Sequence, residues 1–173
     1  MRLLALGLAL ALAACGGSAA PATKSVDLAA PAKATNTPPP LAYTPVSSQP
    51  LELQWSKAPA AFPAGADISV LEGDTAKSGP YTLRLRFPDG YALPPHAHPN
   101  DEHLTVIQGV FIIGMGRTAT RETAKELPVG SFLLIPNRTE HFAWAKGETI
   151  VQLHGIGPGG LLYVNPADDP RNK

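Results

Sequence analysis

Side chains that commonly bind metal ions lie close together in residues 94–109, PPHAHPNDEHLTVIQG. His96 and His98 stand two residues apart, and Glu102 follows four residues later. Residues two apart on a strand point to the same side, about 6–7 Å apart, so both imidazoles can approach one ion. The turn-forming residues 99–101 then allow Glu102 to face them from the next strand. This spacing predicts three ligands of a metal site and leaves a fourth to be found.

A later segment offers that fourth ligand. Gly130–Pro136 is typical of a buried strand that ends at a turn, and His141 begins the next strand. Alternation places Ala143 and Ala145 on the same face as His141. Small side chains on that face leave room for a pocket beside the imidazole.

The elements that must position these side chains are strands. Short apolar segments alternate with Gly, Pro and Asp, which is the pattern of a many-stranded β fold. About eight strands predict a sandwich or a jelly-roll barrel, and residues 120–126 form one helical turn at most. The predicted strands are 68–71, 81–87, 102–107, 110–115, 132–135, 141–145, 149–154 and 161–164.

The strand at residues 81–87 shows the clearest alternation. Its apolar side chains, from Tyr81 to Phe87, share one face, while Arg84 and Arg86 share the other. One face is therefore expected in the core and one in water. The two arginines are interpreted as surface cations rather than substrate clamps.

The N-terminal sequence predicts export. Arg2 precedes an apolar run from Leu3 to Ala14 that is too short to span a bilayer and suits a secretory signal. The run ends at Cys15, the only cysteine, in a pattern that resembles a bacterial lipobox. We expect a signal peptide over residues 1–14 and a lipid on Cys15. This places the protein in the bacterial cell envelope, periplasmic or surface-exposed, anchored to the membrane by its lipid; a plain signal peptide is the alternative.

Composition divides the remaining chain and excludes some functions. Residues 15–50 are rich in Ala and Pro and predict a disordered tether, so the folded domain is expected over residues 51–173. The 14 basic residues balance the 14 acidic ones, which argues against nucleic acid as a partner. No arrangement of a Ser or Cys nucleophile with a base appears, and no glycine-rich phosphate loop is present.

Residues 90–109 resemble the first motif of the cupin superfamily. Every specified position is filled, in the order Gly90, His96, His98, Glu102 and Gly109. The second motif is matched at three positions, which are Gly130, Pro136 and His141. The chain departs from it in two places, because Arg138 stands where glycine is usual and Ala145 where asparagine is frequent. The resemblance covers residues 51–173 and is closest to single-domain bacterial cupins of unassigned function.

The resemblance implies an all-β, single-domain jelly-roll barrel with one divalent metal. It implies that three histidines and one glutamate hold the ion, here His96, His98, Glu102 and His141. Mixed imidazole and carboxylate ligation suits Fe, Mn, Zn, Ni or Cu. The alternative is a metal-free cupin in which these residues are hydrogen-bonded within a polar cavity.

Other side chains are candidates for the pocket or its surroundings. Phe111 is expected in the pocket wall, and Gln152, His154 and Tyr163 are the groups able to supply an extra acid or base. A structural role for His154 stays open. His103 follows Glu102 and should face the opposite side, unless a register slip makes it the ligand.

The residues leave two classes of function open. The first is a metal-dependent oxygenase or isomerase acting on a small molecule in a mainly apolar pocket. The second is a non-catalytic module that senses or stores a metal or a small ligand. Phe142 and Trp144 face away from His141, either packed against a second sheet or forming a homodimer interface.

Overall fold

The structure is a computed structural model that describes residue 49 and residues 52–173. The predicted signal peptide (1–14), the predicted lipidation site Cys15 and nearly all of the predicted tether (15–50) lie outside the described residues. These predictions and the domain boundary at residue 51 stay predictions. In the described part of the chain, no helix has the length and apolar character needed to cross a membrane.

The described residues form an all-β fold, as the sequence predicts. Two short 3-10 helices, Pro166–Asp168 and Pro170–Asn172, follow the last strand. The strands are β1 (Ser56–Lys57), β2 (Asp67–Glu72), β3 (Gly79–Phe87), β4 (Ala92–Ala97), β5 (Glu102–Met115), β6 (Lys125–Pro128), β7 (Phe132–Ile135), β8 (His141–Gly157) and β9 (Leu162–Tyr163).

The two longest strands, β5 and β8, form an antiparallel ribbon at the centre of the fold. Their register runs from the pair Glu102–Gly155 at one end to the pair Met115–His141 at the other. Strands β3 and β4 pair with the free edge of β8, while β6 and β7 pair with the free edge of β5. Glu102 and His141 lie at opposite ends of this ribbon, so the sheet must curl to bring them together.

Two short connections curl the sheet into a jelly roll. One leads from β4, where His96 pairs with His141, to Glu102 at the start of β5. The other leads from β7, where Ile135 pairs with Glu102, to His141 at the start of β8. Both connections join the two ends of the ribbon. The candidate ligands therefore meet because the chain closes the barrel at this point.

The sequence predicted breaks in both central strands, and these two predictions are wrong. β5 continues through Gly109 and β8 continues through Gly147. The pairing shifts register between Val106 and Val110, which marks a β-bulge. Gly109 has a φ of 71°, and a Cβ there would lie 2.4 Å from the Glu148 carbonyl oxygen, so only glycine fits. The glycines bend the strands instead of ending them.

The core lies inside the curled sheet. Tyr81 and Phe87, at the two ends of the predicted alternation, are buried, as are Leu83 and Leu85 between them. The opposite face is outside, where Arg86 forms an ion pair with Asp67 at 2.8 Å. This confirms the predicted inner and outer faces of β3.

Three strands were not predicted from the sequence. β4 contains two adjacent prolines, and a register shift between Leu93 and His96 accommodates them beside β8. β6 occupies residues 125–128 and begins within the segment 120–126, for which the sequence suggested a helical turn at most. β1 is only two residues long.

Phe142 was expected either to pack against a second sheet or to form a homodimer interface. It is fully buried within the chain, so packing inside the fold describes it better than an interface.

Candidate metal centre

Three histidines converge at the end of the barrel that the two connections close. His96 lies in β4 and pairs directly with His141 of β8, and His98 follows the end of β4. One ring nitrogen of each lies within 4.8 Å of the others. His96 and His141 are 1% and 2% exposed. Three imidazoles brought this close in a buried place can hold one metal ion.

Backbone carbonyl groups fix the orientation of all three rings. Each Nδ1 is within hydrogen-bond distance of a carbonyl oxygen, which only accepts, so each Nδ1 carries the proton and donates it. This leaves each Nε2 as the unprotonated nitrogen with a lone pair for a metal. The three contacts are His96 to Pro94 at 2.7 Å, His98 to Gly160 at 2.9 Å and His141 to Thr139 at 2.9 Å.

Burial also keeps these rings neutral. It lowers the pKa of His96 well below the ordinary value of 6.5. The neighbouring His141 and His98 lower this pKa further, because a positive charge on either ring would repel a proton on His96. Burial lowers the pKa of His98 and of His141 in the same direction. Since a metal binds the neutral imidazole, the site needs little proton release at neutral pH.

Glu102, the predicted fourth ligand, lies beside the histidine cluster. Its Oε2 is 3.3 Å from Nε2 of His98, at the start of β5. Burial raises the pKa of its carboxyl group to about 7, and the nearby His141 opposes this effect. A carboxyl group with this pKa keeps its proton below about pH 7, and a bound metal would favour the carboxylate.

Two cavities adjoin the cluster. The inner one measures about 30 Å³ and is bounded by Phe111, Ala143 and the cluster itself, which leaves room for about two water molecules. The second measures about 290 Å³ and reaches His98 and Glu102 from the side of β2 and β3. Its walls are mostly apolar. A small molecule therefore has space in the second cavity, beside the cluster, and not in the inner one.

The other predicted pocket residues lie in different places. Gln152 accepts a hydrogen bond from Arg84 on the outer face at 3.1 Å, and His154 stacks on His103 with 5.2 Å between ring centroids. Gln152 and His154 are corrected here, because Val151 and Leu153 take the inward positions of β8. His103 faces outward as expected.

Tyr163 and Phe111 lie on the inner side of the sheet. The Tyr163 ring centroid is 6.2 Å from that of His96, but its hydroxyl donates to the Ala61 carbonyl at 2.7 Å and is not free for acid–base chemistry. Phe111 forms part of the inner cavity wall. Tyr81 and Leu161 also line the larger cavity and were not predicted from the sequence. The closure of the barrel decides which strands face the cluster, and local patterns do not show it.

A family model described as a domain of unknown function, DUF4437, matches residues 51–172. The chain belongs to the DUF4437 family. No curated protein is significantly similar in sequence to this DUF4437 chain.

Several solved structures share the fold of the DUF4437 chain. The polyketide cyclase RemF from Streptomyces resistomycificus has a TM-score of 0.60 at 14% identity, covering 73% of this chain and 90% of that one. The DMSP lyase DddQ from Ruegeria pomeroyi DSS-3 has a TM-score of 0.53 at 17% identity, covering 66% and 62%. An RmlC-like cupin from Shewanella frigidimarina NCIMB 400 has a TM-score of 0.50 at 17% identity, covering 64% and 88%. The DUF4437 chain therefore has the cupin fold that its sequence predicts.

The DUF4437 chain departs from the second cupin motif at Arg138 without losing the turn. Arg138 has a φ of 57°, the left-handed conformation that glycine adopts most easily. Its N–H donates to the His98 carbonyl at 2.8 Å, which ties the turn before His141 to the histidine pair. The side chain is exposed and leaves this hydrogen bond intact. The arginine therefore adds conformational energy to the turn but does not change its geometry.

Replacing Arg138 with glycine is therefore expected to stabilise the protein. The left-handed conformation costs a non-glycine residue about 1–2 kcal/mol, and the added freedom of the unfolded glycine offsets part of that. We expect Arg138→Gly to raise the free energy of unfolding by about 0.5–1 kcal/mol in urea titrations. Arg138→Ala is the control and should gain nothing. A glycine variant less stable than the alanine variant would contradict this explanation.

Proposed function

We propose that this protein is a metal-dependent cupin enzyme that acts as an isomerase or oxygenase on a small molecule. The observation that supports it most is the orientation of the three imidazoles. Each Nδ1 donates to a backbone carbonyl, so the three Nε2 atoms are left for one ion. A purely structural histidine cluster has no need of this common orientation.

The proposed ligands are His96, His98 and His141, with Glu102 as the fourth. Neutral nitrogen donors with one carboxylate fit Fe, Mn, Ni, Cu or Zn rather than Mg or Ca. A bound divalent ion would supply a Lewis acid for an oxygen atom of the substrate. The chain itself holds the imidazoles in one tautomer through three carbonyl contacts.

The proposed substrate is small and mainly apolar, with at least one oxygen atom. The cavity of about 290 Å³ limits its size, and His98 and Glu102 supply the polar end. The rest of the cavity wall is mostly apolar, which disfavours water around the polar end and favours a substrate without several charges. Glu102 is placed to accept or return a proton if it is not bound to the metal.

A non-catalytic metal-binding or small-ligand-binding module is the second proposal. It is favoured by the outward positions of Gln152 and His154 and by the hydrogen bond that occupies the Tyr163 hydroxyl, which together remove the three expected acid–base groups. Turnover of a substrate separates the two proposals, whereas metal binding is shared by the enzyme and the metal-binding form of the module.

Reconstitution tests both. Protein purified without an affinity tag is loaded in turn with Fe, Mn, Ni, Cu and Zn, desalted and examined by elemental analysis. We expect about one ion per chain, since one cluster of three histidines offers one site. The loaded forms are then incubated with small ketones and phenols while O₂ uptake and product formation are recorded. Failure of every metal to bind would overturn the metal-dependent enzyme and the metal-binding module and leave a module that binds a small ligand alone, whereas metal binding without any turnover would favour the non-catalytic module.

We also propose that the protein is exported and anchored by a lipid on Cys15. The sequence of residues 1–15 is the support for this proposal. Labelling cells with an alkyne fatty acid should mark the wild-type chain and not Cys15→Ser. An unlabelled wild-type chain recovered in the soluble periplasmic fraction would contradict lipidation and leave a plain signal peptide.

A further inference from the structure

Tyr81 carries a hydroxyl group on a side chain that lines a cavity beside the candidate metal centre. It lies on β3, is 7% exposed and forms part of the wall of the 290 Å³ cavity shared with His98 and Glu102. The charge of Glu102 is close enough to affect this phenol, because it adds to the effect of burial in raising the pKa of Tyr81. The hydroxyl therefore stays protonated at neutral pH and is available as a hydrogen-bond donor.

A glycine on the strand between them lets Tyr81 approach Glu102. Gly155 of β8 pairs with Tyr81 on one side and with Glu102 on the other. A Cβ on Gly155 would lie 3.0 Å from the Tyr81 hydroxyl oxygen. The phenol therefore extends over the position that a side chain at residue 155 would fill.

The Tyr81 hydroxyl has no hydrogen-bond partner among the described residues, unlike those of Tyr91 and Tyr163. Tyr91 donates to the Pro63 carbonyl at 2.7 Å, and Tyr163 donates to the Ala61 carbonyl at 2.7 Å. In the described part of the chain, no fully buried side-chain nitrogen or oxygen atom is without a partner. The Tyr81 hydroxyl is therefore not fully enclosed, and its side chain lines the 290 Å³ cavity.

Arg171, a charged residue in the wall of the same cavity, is already paired within the protein. Arg171 donates two hydrogen bonds to Asp169, at 2.8 and 2.7 Å, and a third to the Leu161 carbonyl at 3.1 Å. This arrangement holds the guanidinium in an ion pair and favours uncharged ligands in the cavity. Tyr81 supplies a neutral hydrogen-bond donor in the wall of this cavity.

We propose that Tyr81 is a substrate-contacting residue whose hydroxyl donates a hydrogen bond to a carbonyl or hydroxyl oxygen of the small molecule in this cavity. The substrate class is an uncharged ketone, aldehyde or alcohol with an apolar remainder. This inference rests on the proposed function, because it places the molecule beside the same histidine cluster.

The test compares Tyr81→Phe with Tyr91→Phe, in each case removing only a hydroxyl. Tyr91→Phe loses a hydrogen bond within the protein, so its melting temperature should fall by about 3–5 °C. Tyr81→Phe should melt at or above the wild-type temperature, because no protein partner is lost. A fall in Tyr81→Phe equal to that of Tyr91→Phe would show a structural role and overturn the inference.

Ligand binding is measured by calorimetry with acetophenone and with ethylbenzene, which lacks the oxygen. Tyr81→Phe should bind acetophenone about five- to tenfold more weakly than wild type, and ethylbenzene within about twofold. Tyr91→Phe should bind both as wild type does. Equal affinity of wild type and Tyr81→Phe for acetophenone, an equal loss for ethylbenzene, or no acetophenone binding by wild type would overturn the inference.

Zinc content is measured in the same three proteins. Equal loading supports a role for Tyr81 toward the small molecule and not toward the ion. Wild-type protein that takes up no metal would overturn the proposed function, while the melting and calorimetric results would still decide the role of Tyr81.

Discussion

Replacing His96 or His141 with alanine is expected to weaken metal binding by more than about 100-fold. Loss of a residue that only orients a metal ligand typically costs 10–100-fold, and loss of the ligand itself should cost more. Both imidazoles are buried and oriented by backbone carbonyls, so no nearby side chain can easily replace them. Competition with a chromogenic chelator measures the dissociation constants for Zn²⁺ and Ni²⁺.

The matched control uses the second pair of histidines in the chain. His103 and His154 stack on each other on the outer face, away from the cluster. His103→Ala and His154→Ala should keep wild-type affinity and a stoichiometry near one. If these outer variants lost the metal while His96→Ala kept it, the ion would belong on the other face of the sheet.

Glu102→Gln is expected to stabilise the metal-free protein at pH 8 and to weaken metal binding. The folded-state pKa of Glu102 is raised to about 7 from the ordinary 4.5, so the folded protein holds this proton more tightly than the unfolded chain. The free energy of unfolding therefore falls as the pH rises from about 4.5 to 7, by about 3 kcal/mol in total. Glutamine carries no charge and avoids this loss.

Urea titrations of both proteins in EDTA at pH 5 and pH 8 measure the effect. The variant should be more stable than wild type by about 2–3 kcal/mol at pH 8 and by less than about 1 kcal/mol at pH 5. Glu126→Gln is the control, since this exposed carboxylate forms only a surface ion pair with Lys146. A variant with the same pH dependence as wild type would show that Glu102 is not a buried, desolvated carboxyl.

The strand pattern and the histidine cluster were predictable because both depend on short-range spacing. Alternation in β3 identified its inner face, from Tyr81 to Phe87, and the spacing of His96 and His98 placed both near one point. Their meeting with His141 followed from resemblance to known motifs, since nothing local connects β4 to β8. The barrel closure that explains the meeting is a property of the whole sheet.

The errors share one physical origin, which is the continuity of the long strands. Gly109 and Gly147 have the composition of turns, but here they permit bulges that bend β5 and β8. The sequence predicted two strands in place of β8, so the inner face of the second strand could not be inferred from His141. Gln152 and His154 were therefore predicted to face inward. Along the single strand β8, the odd-numbered residues from His141 to Leu153 are buried, with the exception of the exposed Gly147.

Tyr81 shows the limit of reasoning from sequence in this protein. Its alternation correctly placed it in the core. Its proximity to Glu102 depends on the strand order β3–β8–β5 and on Gly155 between them. Strand order across a sheet is set by long-range pairing, which a single sequence does not reveal.

Anomalous diffraction from crystals of the zinc-loaded protein tests the central claim most directly. We predict one strong anomalous peak about 2.0–2.1 Å from Nε2 of the three histidines, His96, His98 and His141. Each Nδ1 should still donate to its backbone carbonyl. Zinc bound through Nδ1, zinc at His103 and His154, or no ordered zinc in the barrel would contradict the account.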